Sequence, residues 1–475
     1  MNLENKVDSN YLLQNKHKLK KIFFYRICGT GMGACACLLK EIGYSVEGAD
    51  VNYFPPMSTY LNDTGVKCHK LDDITDQFLK GFDLIVVGNS VPRVSEYSEQ
   101  VERCGTAFTS FPDLMGTLVL RDKNVVGIAG THGKTTTTYF LTLLLENLGQ
   151  HPGYFIGGIV NGRPPSRIGK SDYFLIESDE YDSAYFQKIS KFRLYAINHM
   201  ILTSLEFDHG DIFETVEDIK DEFRAIFEKD DLKSLICDDS YVATTELIQE
   251  FKLKANCYSL DKINFIEATP TSTIFSIDLN GVKETFETNI LGKQNILNIV
   301  SCILFLDREG FELSGVKTAL KQLELVKRRQ EIKGCYKGSV VIDDFAHHPR
   351  AIELTIDSIK QRYQDKQIIV IFEPISATAR SSIFQKEFSE SLMHANKVIL
   401  ANARVKTTAF IKNDLDFDQI VTELNANKVQ ARSCENLDQL RSAIDEFANN
   451  DNVLLILSNR TCLGLWESDF INEIK

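Results

Sequence analysis

At 475 residues the chain exceeds what one ordinary core holds, so two or three domains are expected. An apolar content of 43% with 25% charged residues excludes a disordered chain, and a formal net charge of −13 excludes a general polyanion binder. Any phosphate ligand must then be held by a few placed cations and backbone amides. The eleven cysteines are scattered, odd in number and without a C-x-x-C pair, which speaks against a zinc site or a disulfide scaffold and for reduced thiols in cytosol. Residues 1–21 are polar and lysine-rich, with no signal-peptide core, and no apolar run reaches the roughly 18 residues of a membrane span. They read as a loosely ordered extension of a cytoplasmic protein.

From residue 22 short β-rich runs alternate with helical stretches, the pattern of largely parallel α/β sheets. In the segment 22–122, strand 22–27 leads into the turn Gly29-Thr30-Gly31-Met32-Gly33 and a helix. Strand 45–49 ends at Asp50, and strand 83–87 at Gly88-Asn89. The glycine turn followed by Asp50 invites a dinucleotide reading, which the ATP-type motifs downstream outweigh. In the segment 123–327, strand 124–129 runs into Gly130-Thr131-His132-Gly133-Lys134-Thr135-Thr136 and a helix through Leu148. Strands follow at 173–177 and 200–205, and short alternating segments surround the hairpin signal Asn280-Gly281. In the segment 328–475, strands at 339–343, 367–372, 397–401 and 452–457 alternate with helices. The expected fold is three α/β domains: Rossmann-like, central P-loop ATPase-like, and a second Rossmann-like unit.

The strongest local signal is the central loop. Its glycines let backbone N–H groups approach phosphate oxygens, and the helix start adds favourable partial charge. Lys134 is placed to reach the terminal phosphates of ATP, and the Thr135 hydroxyl to ligate Mg²⁺. The strict P-loop spacing is not met, since Ile128 stands where the first glycine belongs. Glu177, at the end of the next strand, projects at the same carboxyl edge of the sheet, where a carboxylate can hold Mg²⁺. Asp179, Glu180, Asp182, Glu206, Asp208 and Asp211 make this neighbourhood strongly acidic.

The loop resembles the shortened G-T-x-G-K-T of the Mur ligases. Further segments of that family follow in order: Asp50 to Thr59, Glu177 to Asp182, Leu205 to Phe213, and Asp343-Asp344-Phe345-Ala346-His347-His348-Pro349. The resemblance implies an ATP-dependent, amide-forming ligase that activates the lactyl carboxylate of UDP-N-acetylmuramate as an acyl phosphate. The implied amine acceptor is the peptide L-alanyl-γ-D-glutamyl-meso-diaminopimelate, with L-alanine as the alternative. A nucleotide-binding regulator of the same fold is the reading from another class.

Residue by residue, the resemblance implies that Glu177 and His209 hold a metal with Thr135. It implies that Asn295 and Asn298 of Gly292–Asn298 read adenine, although Gln294 replaces the usual histidine, and that Arg329 and Asp344 reach the nucleotide. Gly29, Thr30, Gly31, Met32, Gly33, Asp50 and Asn89 are the implied UDP-sugar contacts, with Arg26 where the family usually has glycine. His347 or His348 is the candidate for orienting or deprotonating the amine, with His348 taken as the site residue. The third domain departs from the family where Ile375 replaces an arginine and Arg460-Thr461-Cys462 replaces a glycine-rich turn. Arg380 and Arg460 are therefore expected to anchor the peptide carboxylates.

Overall fold

The computed structural model describes residues 1–157, 162–207, 212–229, 231–269, 271–375, 379–403, 414–458 and 460–475. The chain forms two compact units. One comprises Met1–Phe207, Thr215–Tyr258 and Ser301–Phe311, the other Asp208–Glu214, Ser259–Val300 and Glu312–Lys475. Among the described residues no helix is long and apolar enough to cross a membrane.

The first unit carries two α/β sheets. Strands β1 (Lys21–Tyr25), β2 (Ser45–Asp50), β3 (Lys67–Lys70), β4 (Leu84–Val87) and β5 (Phe108–Ser110) form a parallel sheet in the order β3-β2-β1-β4-β5. Ile22, Phe23, Phe24 and Tyr25 are fully buried, as a continuous apolar strand covered on both faces requires. The order runs outward from β1 in both directions, so the carboxyl end of β1 is a switch point open to a ligand. Helix Thr30–Ile42 starts there. The expected strand 22–27 stops two residues early because Arg26 adopts φ 68°, and the amides of Arg26 and Ile27 both donate to Ala49 O.

The second sheet contains β6 (Asn124–Ala129), β7 (Gly153–Phe155), β8 (Ser166–Arg167) and β9 (Tyr173–Ser178). After a hairpin of β10 (Asp182–Ala184) and β11 (Gln187–Ser190), it is completed by β12 (His199–Leu202), β13 (Ser234–Asp238) and β14 (Ala255–Tyr258). The order is β14-β13-β12-β6-β9-β7-β8, parallel except for the β7–β8 pair. β6 thus stands between β12 and β9, and the ends of these three strands meet at the loop Gly130–Gly133. The expected strand 200–205 ends at Leu202, because Thr203 and Ser204 turn their hydrogen bonds to that loop. The helical segment Met115–Leu120 packs closely on the short helix Lys191–Leu194 at Gly116, where an added Cβ would lie 1.9 Å from Leu194 O.

The N-terminal extension corrects an expectation: it is ordered. Helix Ser9–Asn15 is capped by the Asp8 side chain, Leu12 and Leu19 are buried, and Val7 N donates to Phe108 O at 2.8 Å. A few leucines suffice to fix a polar segment when its backbone can also extend a sheet edge.

The second unit holds an antiparallel sheet of β15 (Asn264–Ala268), β16 (Thr273–Leu279) and β17 (Val282–Thr288). Its Asn280-Gly281 turn has both φ values positive, as the hairpin signal requires. The unit's main sheet has β18 (Glu331–Tyr336), β19 (Ser339–Asp344), β20 (Gln367–Glu373), β21 (Lys397–Ala401), β22 (Gln430–Cys434) and β23 (Asn452–Ser458). The order is β18-β19-β23-β20-β21-β22, with only β18 antiparallel. Apolar clusters cover both of its faces, one around Ile356, Val370 and Phe388 and the other around Ile371, Leu440 and Leu454.

Candidate active site

In the first unit β6 ends in the loop Gly130–Gly133, and Lys134 opens helix Lys134–Asn147. Gly130 has φ 128°, and a Cβ there would lie 2.5 Å from Thr203 Oγ1 and 2.7 Å from Ser204 O, so only glycine fits. Thr131 N donates to Ser204 O, His132 N donates to Ser204 Oγ at 2.8 Å, and Glu206 N donates to Thr131 Oγ1 at 3.1 Å. The segment after β12 therefore fastens the loop from outside. His132 Nε2 lies 3.4 Å from Glu206 Oε2.

Lys134 Nζ donates to Gly130 O at 2.6 Å and to Glu180 Oε2 at 3.0 Å, while Glu180 Oε1 accepts from Gly130 N at 3.3 Å. Burial pushes the ammonium pKa down, but the Glu180, Asp179 and Glu177 charges outweigh it, and the value lies above that of an ordinary lysine. Thr135 and Thr136 occupy the first turn of the helix, with Thr136 buried.

Glu177 sits in β9 opposite Ile128 of β6. One side of its carboxylate meets the Thr135 hydroxyl and the Gly157 amide, and Oε1 is buried with no hydrogen-bond partner among the described residues. Burial drives its pKa up, with the Thr135 hydroxyl, Lys134 and Gly157 pulling back only in part. A buried, unsatisfied carboxylate oxygen beside a threonine hydroxyl is a hard-oxygen donor set that fits a divalent cation such as Mg²⁺. His209, with Asp208 and Asp211, lies outside the described residues. The acidic neighbourhood is otherwise largely paired with lysines: Asp179 with Lys191 at 2.6 Å and Asp182 with Lys188 at 2.5 Å.

Also in the first unit, Gly29 and Thr30 are exposed at the start of helix Thr30–Ile42, where its amides face the switch point. Met32 and Gly33 are buried, and a Cβ at Gly33 would lie 2.3 Å from Met57 Sδ. Asp50 is buried, accepts from Cys28 N and Val51 N at 2.8 Å each, and lies 3.4 Å from Arg26 Nε. It holds the turn together. Asn89 is exposed beyond β4.

In the second unit Asn295 donates to Leu291 O at 2.8 Å and Asn298 is buried, both on helix Lys293–Arg308 after Gly292 at φ 88°. Asp344 ends β19 and accepts from Gln330 N at 2.8 Å and Ala346 N at 2.7 Å. Burial raises its pKa while Arg329 opposes the rise. The basic pair divides: Arg328 is tied to Asp343 at 3.0 Å and to Ser458 O at 2.6 Å, whereas the Arg329 guanidinium stacks 5.1 Å from the Phe345 ring. His347 Nδ1 lies 3.0 Å from Phe345 O, and the His348 ring packs edge-on against Phe384 just before helix Pro349–Arg362.

Glu373 organises the last turn. Fully buried at the end of β20, it accepts from Ser458 Oγ at 2.6 Å, Cys462 N at 3.0 Å and Leu463 N at 2.7 Å. Cys462 and Leu463 both have positive φ, a conformation that ordinarily selects glycine, and Gly464 follows with φ 82°. Arg460 is exposed on this turn, with its amide on Ser458 Oγ. Arg380 is partly buried, and its carbonyl accepts from Leu415 N at 2.7 Å. Residues 376–378 and Asn459 lie outside the described residues.

The sequence shows Glu180 only as one of an acidic group and does not show the contacts of Ser204 and Glu373. Glu180 stands at a strand end three residues after Glu177, a spacing that offered a signal. The bonds of Ser204 and Glu373 join segments more than 70 residues apart and left no local trace.

Comparison with known proteins matches most of the chain to one family. The family descriptions "Mur ligase family, catalytic domain", "Mur ligase middle domain" and "Mur ligase, glutamate ligase domain" match residues 21–123, 128–306 and 328–460. The chain is 34% identical to the UDP-N-acetylmuramate–L-alanyl-γ-D-glutamyl-meso-2,6-diaminoheptandioate ligase of Haemophilus influenzae, over 80% of this chain and 85% of that one. It is 28% identical to the UDP-N-acetylmuramate–L-alanine ligase of Streptococcus gordonii, over 95% and 97%. The crystal structure of a murein peptide ligase from Psychrobacter arcticus superposes with a TM-score of 0.66 at 27% identity, covering 94% of this chain and 97% of that one. With three family domains matched in order along the chain and this relative beside them, the chain belongs to the Mur ligase family, whose members are ATP-dependent amide-bond ligases.

Proposed function

We propose that this ligase joins L-alanyl-γ-D-glutamyl-meso-diaminopimelate to UDP-N-acetylmuramate in the cytoplasm, in the recycling of peptidoglycan. The observation that carries the choice of acceptor is the higher identity to a tripeptide-adding relative, 34% against 28% for the L-alanine-adding one. The alternative acceptor, L-alanine, is favoured by the loss of an arginine at Ile375.

In this reading the lactyl carboxylate attacks the γ-phosphorus of ATP, an acyl phosphate forms and ADP leaves. The peptide amine then attacks the acyl carbon, loses its proton and expels phosphate. Lys134 and the amides of Gly130–Thr136 spread the charge on the transferring phosphoryl group, which otherwise repels the incoming carboxylate. Thr135 and Glu177, with His209, would hold Mg²⁺, which supplies charge neutralisation at the phosphates. Asn295 and Asn298 take the adenine, while Arg329 and Asp344 serve the nucleotide. The turn from Gly29 to Gly33, with Asp50 and Asn89, takes the UDP moiety. His348 accepts the amine proton, and Arg380 and Arg460 anchor the peptide carboxylates. The test is ADP release with UDP-N-acetylmuramate and each acceptor in turn. Turnover with tripeptide above that with L-alanine is expected. Turnover with L-alanine alone overturns the acceptor, and ATP binding without acceptor-dependent ADP release overturns the ligase reading.

A further inference from the structure

Cys237 and Cys257 face each other across β13 and β14, in direct parallel register, with their sulfurs 3.7 Å apart. Parallel pairing sets their Cα atoms at about 4.8 Å, inside the roughly 4.4–6.8 Å that a disulfide spans. β14 is the edge strand, free on one side, so side-chain rotation together with a shift of β14 can close the sulfurs from 3.7 Å to the roughly 2.05 Å of a bond. Cys257 is partly exposed there, and Cys237 is fully buried beneath it. The remaining buried cysteines, such as Cys35, Cys104 and Cys302, give no sulfur–sulfur contact among the described residues.

We propose that Cys237 and Cys257 form a reversible cross-strand disulfide in response to hydrogen peroxide. Cys257, the accessible thiol, attacks a peroxide oxygen, giving a sulfenic acid at Cys257 and water. The Cys237 sulfur then attacks Cys257 Sγ, the S–S bond forms, the S–O bond breaks, and the hydroxyl leaves as a second water with the Cys237 proton. The two thiols lose two electrons and the peroxide gains them. The proton stays on Cys237 until that second step, because its contact with Cys257 and its burial both raise its pKa. The bond would lie on the edge strand with Cys257 partly exposed, so a thiol such as glutathione can attack it and reopen it. The pair is thereby a redox-sensitive clip on the edge of the central sheet, with β13 and β12 between it and the phosphate-loop strand.

The experiment treats the full chain with graded hydrogen peroxide, alkylates the remaining thiols, digests with trypsin and maps the peptides by mass. Lys233, Lys252, Lys254 and Lys262 release the two cysteines on separate peptides, so a bond between them joins two fragments. The expected result is that joined species, about 2 Da lighter than the sum of the two, formed at lower peroxide than any other cysteine modification and reversed by glutathione. Cys257→Ser abolishes it, whereas Cys68→Ser, at another surface thiol, leaves it unchanged. Cys257 driven to sulfinic or sulfonic acid without the joined peptide, or both thiols still alkylated when Cys68 is oxidised, overturns the proposal.

Discussion

Lys134 Nζ and Glu180 Oε2 form a buried ion pair at 3.0 Å, and the same carboxylate reaches Gly130 N at the start of the phosphate loop. One acidic residue thus holds both Lys134 and the start of the loop that we propose for the triphosphate. Removing it leaves a buried ammonium whose remaining hydrogen bond among the described residues goes to Gly130 O. Glu180→Ala is expected to destabilise the first unit by about 3 kcal/mol. Because the two residues act together, the Lys134→Ala, Glu180→Ala double variant should lose less than the sum of the single losses, by about 1–3 kcal/mol. Denaturant unfolding of all four proteins measures this coupling, and additive losses would show that the pair is not interacting.

Glu177 offers a test of the proposed cation site. Its buried Oε1 has no hydrogen-bond partner among the described residues. Glu177→Ala is therefore expected to raise the Mg²⁺ concentration for half-maximal turnover and to lower turnover about 100-fold at saturating ATP. Titration of activity against Mg²⁺ is the measurement. An unchanged titration with an unchanged rate would reduce Glu177 to a structural carboxylate.

Glu373 and Arg460 separate shape from charge in the last turn. Glu373→Ala removes the acceptor of three donors and should release the Cys462–Leu463 turn, raising the acceptor KM and lowering the thermal midpoint. Arg460→Ala leaves those bonds in place and should raise the acceptor KM by about 10-fold or more with the midpoint unchanged. Steady-state kinetics beside thermal melts decide the matter. An Arg460→Ala enzyme with an unchanged tripeptide KM and rate points to a different amine acceptor.

Asp343 predicts a pH dependence of stability. Burial lifts its pKa from 3.8 to about 6, against the pull of the Arg328 guanidinium and with the added push of Asp344. The folded value lies above the unfolded one, so this contribution is fully present below about pH 4 and is lost as pH rises through about 6. Asp343→Asn cannot ionise. Its stability relative to wild type should improve by about 2–3 kcal/mol between pH 4 and pH 7. Melts across that range measure the gap, and a gap that stays constant refutes the assignment.

The sequence by itself determined the strands that carry the site. β6, β9, β19, β20 and β23 are unbroken apolar runs flanked by turn residues, and the Gly130–Thr136 and Asn280-Gly281 turns need glycine for conformational reasons that are local. Strands with mixed patterns, such as β3, β11 and β22, escaped because edge and half-covered strands lack that signature. The ordered N-terminal helix escaped because a few buried leucines decide it, not its polar composition. What only the tertiary structure decided is which charge meets which. Glu180 closes on Lys134, lysines neutralise Asp179 and Asp182, and Glu373 shapes a turn in which Cys462 and Leu463 hold positive φ. The reason is physical: a carboxylate's role follows from burial and from partners brought by distant strands, and neither is encoded in its immediate neighbours.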